Sequence, residues 1–339
     1  MPLIAKVGRK KWRVRILLLG IAIFLWLGVI IHFIPVWWAF TSSIKPWWEV
    51  YKFPPTLWPK NPTFSVYRLL LFAFTSNLKL GGGSETAQMA LADQPFWVFL
   101  KNSAVITGGV MAFNLLVCAL VGYSLSKLCS PKWSRFMFLF FVGTMFVPGN
   151  ASLIPRFLLV RCFPFATKTA PYIPFTHVRF PHINMLNTYW GIILPLAYNG
   201  FSVLLFKGFF DGIPNELINA ARLDGSSEIG IFRRIILPLS KPVFAVVAYF
   251  SFNSAWNQFM WPLIVLTQAR HLDPLSIMLY KLQLGLSAVN PEADRELLES
   301  GFGMNAVMAL GIIQSIPVFI MFIILREQLM KGIKLRGFK

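Results

Sequence analysis

The sequence is poor in charge and in cysteine. Charged residues make up 13% of its 339 residues, whereas hydrophobic residues make up 56%, and a soluble domain carries about 25% charge. The mean hydropathy is +0.62. Such a chain cannot hide its apolar surface from water, so we expect an integral membrane protein. The three cysteines are odd in number and lack metal-ligand spacing, which argues against a disulfide framework or a zinc site.

Catalytic and nucleotide-binding motifs are also missing. The sequence contains no Gly-x-x-x-x-Gly-Lys-Ser/Thr loop, so it has no phosphate-cradling loop of its own. The four histidines are scattered, and the sequence indicates no Ser/His/Asp triad and no pair of catalytic carboxylates. We therefore predict a protein that is not an enzyme and that itself binds neither a metal nor a cofactor.

Six apolar runs lack Asp, Glu, Lys and Arg and are long enough to span a membrane, which takes about 20 residues. They are 16–40, 102–126, 136–155, 181–206, 242–269 and 300–325. Ion-coupled carriers generally keep an ionisable group inside the membrane, so these runs argue against a proton-driven carrier. We predict an all-α polytopic membrane protein with six transmembrane helices.

The net charge of +19 is best explained by membrane topology, with basic residues held at the cytoplasmic face near anionic lipid, and we expect no nucleic-acid partner. Of the 32 basic residues, 19 lie at the two ends and in the second-to-third and fourth-to-fifth connections, with 5 of the 13 acids. Both termini are therefore expected in the cytoplasm. The predicted parts are a basic N-terminus 1–15, a six-helix domain 16–325, a basic C-terminus 326–339, and outer loops 41–101, 156–180 and 270–299.

The cytoplasmic connection 207–241 is the most informative stretch. Pro214 suits the first position of a helix, and Gly225 suits a helix C-terminus. Between them, four positions recur with helical spacing and include two small residues: Leu217, Ala220, Ala221 and Asp224. Small residues allow a helix to seat deeply in a partner's groove. The alternative is a surface connection that merely joins two spans.

The spacing within this connection is specific. Asn219-Ala220-Ala221 is followed after three residues by Gly225, after nine more by Ile235, and one residue later by Leu237-Pro238. It resembles the loop found in permeases of bacterial binding-protein-dependent ABC importers, which reads Glu-Ala-Ala, three residues, Gly, nine residues, Ile, one residue, Leu-Pro. The departure is Asn219, where the family usually has Glu.

Weaker stretches resemble the carbohydrate, maltose-permease-like branch of that family. They occur in the expected order: Thr41–Lys45, Asn102-Ser103, Val147-Pro148-Gly149, Ile154-Pro155, Trp256–Phe259, Pro262-Leu263 and Gly332 with Gly337. The resemblance covers most of the chain from the first span onward. It implies a type I ABC importer permease fold in the bacterial cell (inner) membrane.

The resemblance also implies partners. These are a second permease, two ATP-binding cassette subunits that bind ATP and magnesium, and an extracytoplasmic solute-binding protein that delivers a sugar or oligosaccharide. The ATPase is expected to couple through the loop, at Asn219, Ala220, Ala221, Arg222, Asp224, Gly225, Ile235, Leu237 and Pro238. Arg222, Arg233 and Arg234 are further candidates for contacts with acidic groups of the partner, although topology alone accounts for them.

Neutral polar side chains in the fourth and fifth runs are candidates for the solute path, because sugars are recognised by hydrogen-bonding groups and aromatic faces. They are Asn199, Asn253, Trp256, Asn257 and Gln258. The alternative is that these amides bond across helices and stabilise packing. At the level of function, the alternatives are a permease for a non-sugar solute, a stand-alone secondary carrier, and a membrane-anchored assembly factor without a solute.

Overall fold

The computed structural model describes residues 12–73, 94–163, 183–287 and 303–335. These residues are helices and connections, with one isolated antiparallel bridge between Phe163 and Ile183. Each predicted outer loop and both predicted terminal segments lie partly outside the described residues. The all-helical class expected from the sequence is confirmed for the part described.

The chain divides into two compact units, of which the first comprises Met1–Asp93, Lys281–Ser315 and Gly337–Lys339. It begins with α1 (Trp12–Ser43), followed by the short helices α2 (Trp47–Val50) and α3 (Ser65–Arg68). Most of α1 is apolar and exposed all round, as expected of a helix that faces lipid. Its last residues and the turn that follows, from Thr41 to Lys45, are buried.

A buried cation and a buried carboxylate organise the segment that follows α1. The Lys45 ammonium donates to the carbonyl oxygen of Thr56 and lies 4.6 Å from the centre of the Trp38 ring. The Glu49 carboxylate accepts hydrogen bonds from the Thr56 hydroxyl at 2.8 Å and from the Lys60 N–H at 2.9 Å. The segment after α1 is therefore folded onto these two side chains.

The second unit comprises Gln94–Tyr280 and Ile316–Arg336. From Phe96 onward the helices are α4 (Phe96–Tyr123), α5 (Pro131–Met145), α6 (Leu153–Arg161), α7 (Tyr189–Leu196), α8 (Gly200–Phe210), α9 (Asn215–Leu223), α10 (Glu228–Leu239), α11 (Lys241–Trp256), α12 (Met260–Val265), α13 (Leu275–Ser287) and α14 (Met304–Leu335). The last two helices begin in one unit and end in the other. A wide π turn extends α4 to Leu128.

Helix α4 is the centre of the second unit and packs against α7, α8 and α11. Two glycines allow this close approach. A Cβ added at Gly122 would lie 2.7 Å from the Cβ of Phe206, and one added at Gly109 would lie 2.7 Å from the Cδ1 of Ile193. One apolar core surrounds Phe206 near the connection 207–241, and a second surrounds Trp261 towards the other end of α4.

Three helices are long and apolar enough to cross a membrane: Val14–Ser43, Phe96–Leu128 and Met304–Met330. Three bent pairs reach that length only together: Pro131–Met145 with Gly149–Arg161 at 96°, Tyr189–Leu196 with Gly200–Phe210 at 46°, and Glu228–Leu239 with Lys241–Trp256 at 82°. The part of the chain described therefore has three to six candidate spans, and six remains the prediction.

Three of the six predicted runs contain breaks, so a single continuous helix does not fill them. Run 136–155 is interrupted after Met145, where Pro148 cannot continue a helix. The helix of run 181–206 begins only at Tyr189 and breaks before Asn199, and run 242–269 breaks after Trp256. The final helix continues to Leu335, so the predicted tail from residue 326 is helical over all of its described part.

Candidate functional site

The predicted cytoplasmic connection folds as two helices, α9 and α10, joined by a tight turn; we call residues 215–239 the loop hairpin. Glu216 lies in the first turn of α9, where a negative charge is favourable. Ser227 caps α10, since its hydroxyl oxygen accepts a hydrogen bond from the N–H of Gly230 at 3.2 Å. Both helices predicted from the sequence are present.

The turn between the helices is a Schellman motif. Gly225 has a φ of +78°, a left-handed conformation that glycine adopts readily. Its N–H donates to the carbonyl of Arg222 at 3.0 Å, and the N–H of Ser226 donates to the carbonyl of Ala221 at 3.0 Å. The sequence therefore fixes the angle between α9 and α10 at Gly225.

Most of the face predicted on α9 is exposed: Leu217, Ala220 and Asp224 are exposed, whereas Ala221 is half-buried. Ile218 is buried, and Ala221 packs beside it on the core around Phe206. Ala221 therefore contacts its own chain, whereas Asn219 and Ala220 are exposed. The rest of the predicted coupling set is divided in the same way: Ile235 packs on the core, and Arg222, Asp224, Gly225, Leu237 and Pro238 are exposed.

Two apolar side chains stand out at the tip of the loop hairpin. Leu223 at the end of α9 is 90% exposed, and Ile229 in the first turn of α10 is 80% exposed. The helical spacing singled out neither of them, because it identifies a face and says nothing about residues at a helix end.

A carboxylate ties the loop hairpin to α4. The Glu228 carboxylate accepts a hydrogen bond from the Tyr123 hydroxyl at 2.7 Å and pairs with the Arg222 guanidinium at 2.7 Å. Arg222, and secondarily Tyr123, lower the pKa of Glu228 below its usual range, because both stabilise the charged form. Arg222, predicted as a possible contact for a partner's acid, is thus paired within its own chain.

A second connection joins the end of α4 to the start of the loop. Lys127 donates to the carbonyl of Ile213 at 2.7 Å and to the side chain of Asn215 at 2.8 Å. The hydroxyl of Ser126 donates to Asp211 at 2.7 Å. The loop hairpin is therefore held to α4 on both sides.

The polar residues predicted for the solute path are only partly brought together. Asn199 and Gln258 line a cavity of about 190 Å³ between α4, α6, α8 and α11. Asn199 also caps α8, accepting the N–H of Phe201 at 2.9 Å. We call this space the polar cavity.

The other three predicted path residues are not among those that line the polar cavity. Trp256 is only 4% exposed and stacks on Phe252 with ring centres 5.6 Å apart. The Asn257 amide donates to the backbone oxygen of Asn253 at 2.9 Å and to its side-chain oxygen at 3.0 Å. These contacts fit the alternative in which the amides stabilise packing, here at the broken end of α11.

Sequence reasoning missed several residues of the polar cavity. They are Asn114, Arg156, Tyr198, Ser202, Ser251 and Ser254. Asn114 was detectable, since it is an amide near the middle of a charge-free run. Arg156 was predicted in the outer loop, but the 96° bend after Met145 turns α6 back towards α4 and brings Arg156 to the cavity.

No family model matches the sequence. The chain is 28% identical to the arabinooligosaccharides transport system permease protein AraQ of Halalkalibacterium halodurans, over 72% of this chain and 75% of the relative. It is 26% identical to the sn-glycerol-3-phosphate transport system permease protein UgpE of Salmonella typhi, over 91% and 92%. A chain from the crystal structure of a bacterial ABC transporter that imports the acidic polysaccharide alginate has the same fold, with a TM-score of 0.70, 24% identity and coverage of 94% and 98%.

Proposed function

The chain belongs to the permease family of carbohydrate ABC importers, and on that premise we propose that it forms one half of a translocation pathway driven by a separate ATPase. It is a multi-pass membrane protein and a non-catalytic transport component. The proposed partners are a second permease, two ATP-binding subunits carrying ATP and magnesium, and an extracytoplasmic binding protein in the bacterial cell membrane. The proposed solute is a sugar, an oligosaccharide or a related polyol derivative.

The loop hairpin is the observation that carries this proposal. Its tip carries Leu223 and Ile229, two exposed apolar side chains close to the turn at Gly225. Apolar residues that a chain leaves in water become favourable contacts when a partner covers them. Because Tyr123 bonds to Glu228 and Lys127 bonds to Asn215, the hairpin is tied to α4, and a partner that moves the hairpin also moves a candidate span.

The predicted coupling residues receive different roles in this proposal. Asn219, Ala220, Asp224 and Gly225 lie on the exposed side and are proposed to contact the ATPase. Ala221 and Ile235 are proposed to hold the hairpin on the core around Phe206. Asn219 carries an uncharged amide and therefore cannot form an ion pair. The ion pair inside the hairpin is the one between Arg222 and Glu228.

A pull-down from native membranes tests the proposal. The tagged chain is extracted in mild detergent, and the associated subunits are identified by mass. We expect recovery of an ATP-binding subunit and a second permease. In Leu223→Asp the ATP-binding subunit should be lost while the second permease is kept, and the control Leu223→Met should behave as wild type.

Two results contradict the proposal. One is recovery of the chain alone, with solute uptake insensitive to ATP depletion, which favours a stand-alone carrier. The other is full recovery of the ATP-binding subunit by Leu223→Asp. That result would show that the tip of the hairpin does not contact the ATP-binding subunit, and it would leave the family assignment in place.

A further inference from the structure

Arg156 occupies an unusual position. It lies on α6, is half-buried, and lines the polar cavity together with Asn114 of α4. At about 1.5 Å of rise per residue, Asn114 lies about 27 Å along the helix from Phe96 and about 21 Å from Leu128. The cavity is thus near the mid-depth of a candidate span, where a cation is costly and its presence indicates a function.

The contacts of Arg156 do not neutralise it. Its guanidinium is 3.4 Å from the hydroxyl of Ser152, a long hydrogen bond, and 5.4 Å from the centre of the Trp261 ring. Within the described ranges, no Asp or Glu oxygen lies within ion-pair distance of Arg156. Its cationic charge therefore remains available to a ligand in the cavity.

The rest of the cavity wall supplies neutral hydrogen-bonding groups. Asn114 accepts a hydrogen bond from Ser251 at 2.9 Å through its side-chain oxygen, so its NH₂ group is the donor it can offer. Ser202, Ser254 and Gln258 add further polar side chains. Among the described residues that line the cavity, Arg156 is the only charged one, so the lining carries a positive charge.

We propose that the polar cavity binds an oxyanion carried by the solute, either the carboxylate of an acidic sugar or the phosphate of a sugar or polyol phosphate. Arginine presents two parallel N–H groups that match such an anion, and the pair is strong where water is excluded. A neutral sugar has no group that needs this charge. The inference rests on the proposed function, whose solute it narrows to an acidic one.

Binding of defined probes to the purified, detergent-solubilised permease complex tests this inference. The probes are tri-galacturonate, glycerol 3-phosphate and the neutral maltotriose, measured by equilibrium dialysis without the binding protein. The variants are Arg156→Gln, the charge-preserving Arg156→Lys, and Arg161→Gln as a control on an exposed arginine at the end of the same helix. Each variant is first checked for membrane insertion and recovery of the second permease.

We expect wild type to bind at least one anionic probe about tenfold more tightly than maltotriose, the size of one charge-assisted hydrogen bond. Arg156→Gln should abolish that preference, Arg156→Lys should keep part of it, and Arg161→Gln should leave it unchanged. The decisive readout is the ratio of the affinities for the charged and the neutral probes, because a purely structural role of Arg156 would lower both affinities alike.

The two anionic probes separate the possible sources of the oxyanion. Tighter binding of tri-galacturonate assigns a carboxylate, and tighter binding of glycerol 3-phosphate assigns a phosphate. Equal affinity for charged and neutral probes, no binding of any probe, or an unchanged preference in Arg156→Gln overturns the inference. None of these results affects the proposed function, which depends on recovery of the ATP-binding subunit in the separate pull-down.

Discussion

The hydroxyl of Tyr123 donates to the Glu228 carboxylate across 2.7 Å, and so connects the C-terminal end of α4 to the loop hairpin. The same carboxylate holds Arg222 at 2.7 Å, at the end of the other hairpin helix. One side chain therefore joins both helices of the hairpin to a candidate membrane span. Because a hydrogen bond of this length tolerates little displacement, this contact can transmit a movement of the hairpin.

Replacing Tyr123 with Phe should loosen this connection without unfolding the protein. The variant keeps the ring, which packs against Phe210 and Phe232, and loses only the hydroxyl. A hydrogen bond to a partly exposed carboxylate contributes about 1 kcal/mol, so amide exchange in residues 215–239 should become about fivefold faster. Tyr249→Phe, on α11, is the matched control, and equal exchange in the two variants would contradict the assignment.

The loop hairpin should weaken in acid. The pKa of Glu228 is lowered first by Arg222 and then by Tyr123, so its contribution to stability is complete above the ordinary pKa of a glutamate carboxyl, about 4.3. That contribution is lost as the pH falls through the lowered pKa. Protection factors of the hairpin amides should be flat between about pH 5 and 8 and decline below that range. Glu228→Gln should show no such decline, and an identical decline in it would count against Glu228.

Gly225 should tolerate Asn better than Ala. At a φ of +78°, a residue with a Cβ costs about 1 kcal/mol or more, and Asn is the side chain that tolerates this conformation best. A Cβ there meets no atom within 4 Å, so strain in the backbone is the only expected cost. We expect Gly225→Ala to lower ATPase stimulation by loaded binding protein more than Gly225→Asn does. Equal activities in the two variants would show that the left-handed turn is not needed.

Gly122 should not accept even a methyl group. A Cβ there would lie 2.7 Å from the Phe206 Cβ and 3.1 Å from the backbone nitrogen of Lys207. Neither atom can move without shifting α8, so Gly122→Ala should destabilise by about 1–3 kcal/mol. Gly108→Ala on the same helix, with nothing within 4 Å, should be close to neutral. Thermal denaturation in detergent compares the two, and similar midpoints would argue against the packing of α4 on α8.

The sequence predicts local features of this protein well. Helix α9, its end at Gly225 and the start of α10 follow from side chains within a few residues of each point. The apolar runs likewise locate the candidate spans, because hydropathy measures whether a segment can lie in lipid. These properties depend on neighbouring residues alone.

Features that depend on residues far apart in the chain could not be predicted in this way. Hydropathy does not register the bend after Met145, so nothing in the sequence indicated that Arg156 and Asn114 line the same cavity. The bond between Tyr123 and Glu228 joins residues 105 positions apart, and no periodic pattern records it. Trp256 was a candidate for the solute path with packing as the alternative, and the sequence alone did not separate the two; in the structure it stacks on Phe252.

The turn at Gly225 has a consequence for engineering. The hydrogen bonds that shape it, including the cap at Ser227 and the Arg222–Glu228 pair, run between residues 220 and 231. Most of the hydrogen bonds that shape the turn therefore lie within the segment itself. Its surroundings supply the apolar core on which Ile218, Ala221 and Ile235 pack, together with the Tyr123 hydroxyl and the Lys127 ammonium. We therefore expect an exchange of this segment between related permeases to transfer the geometry of its turn.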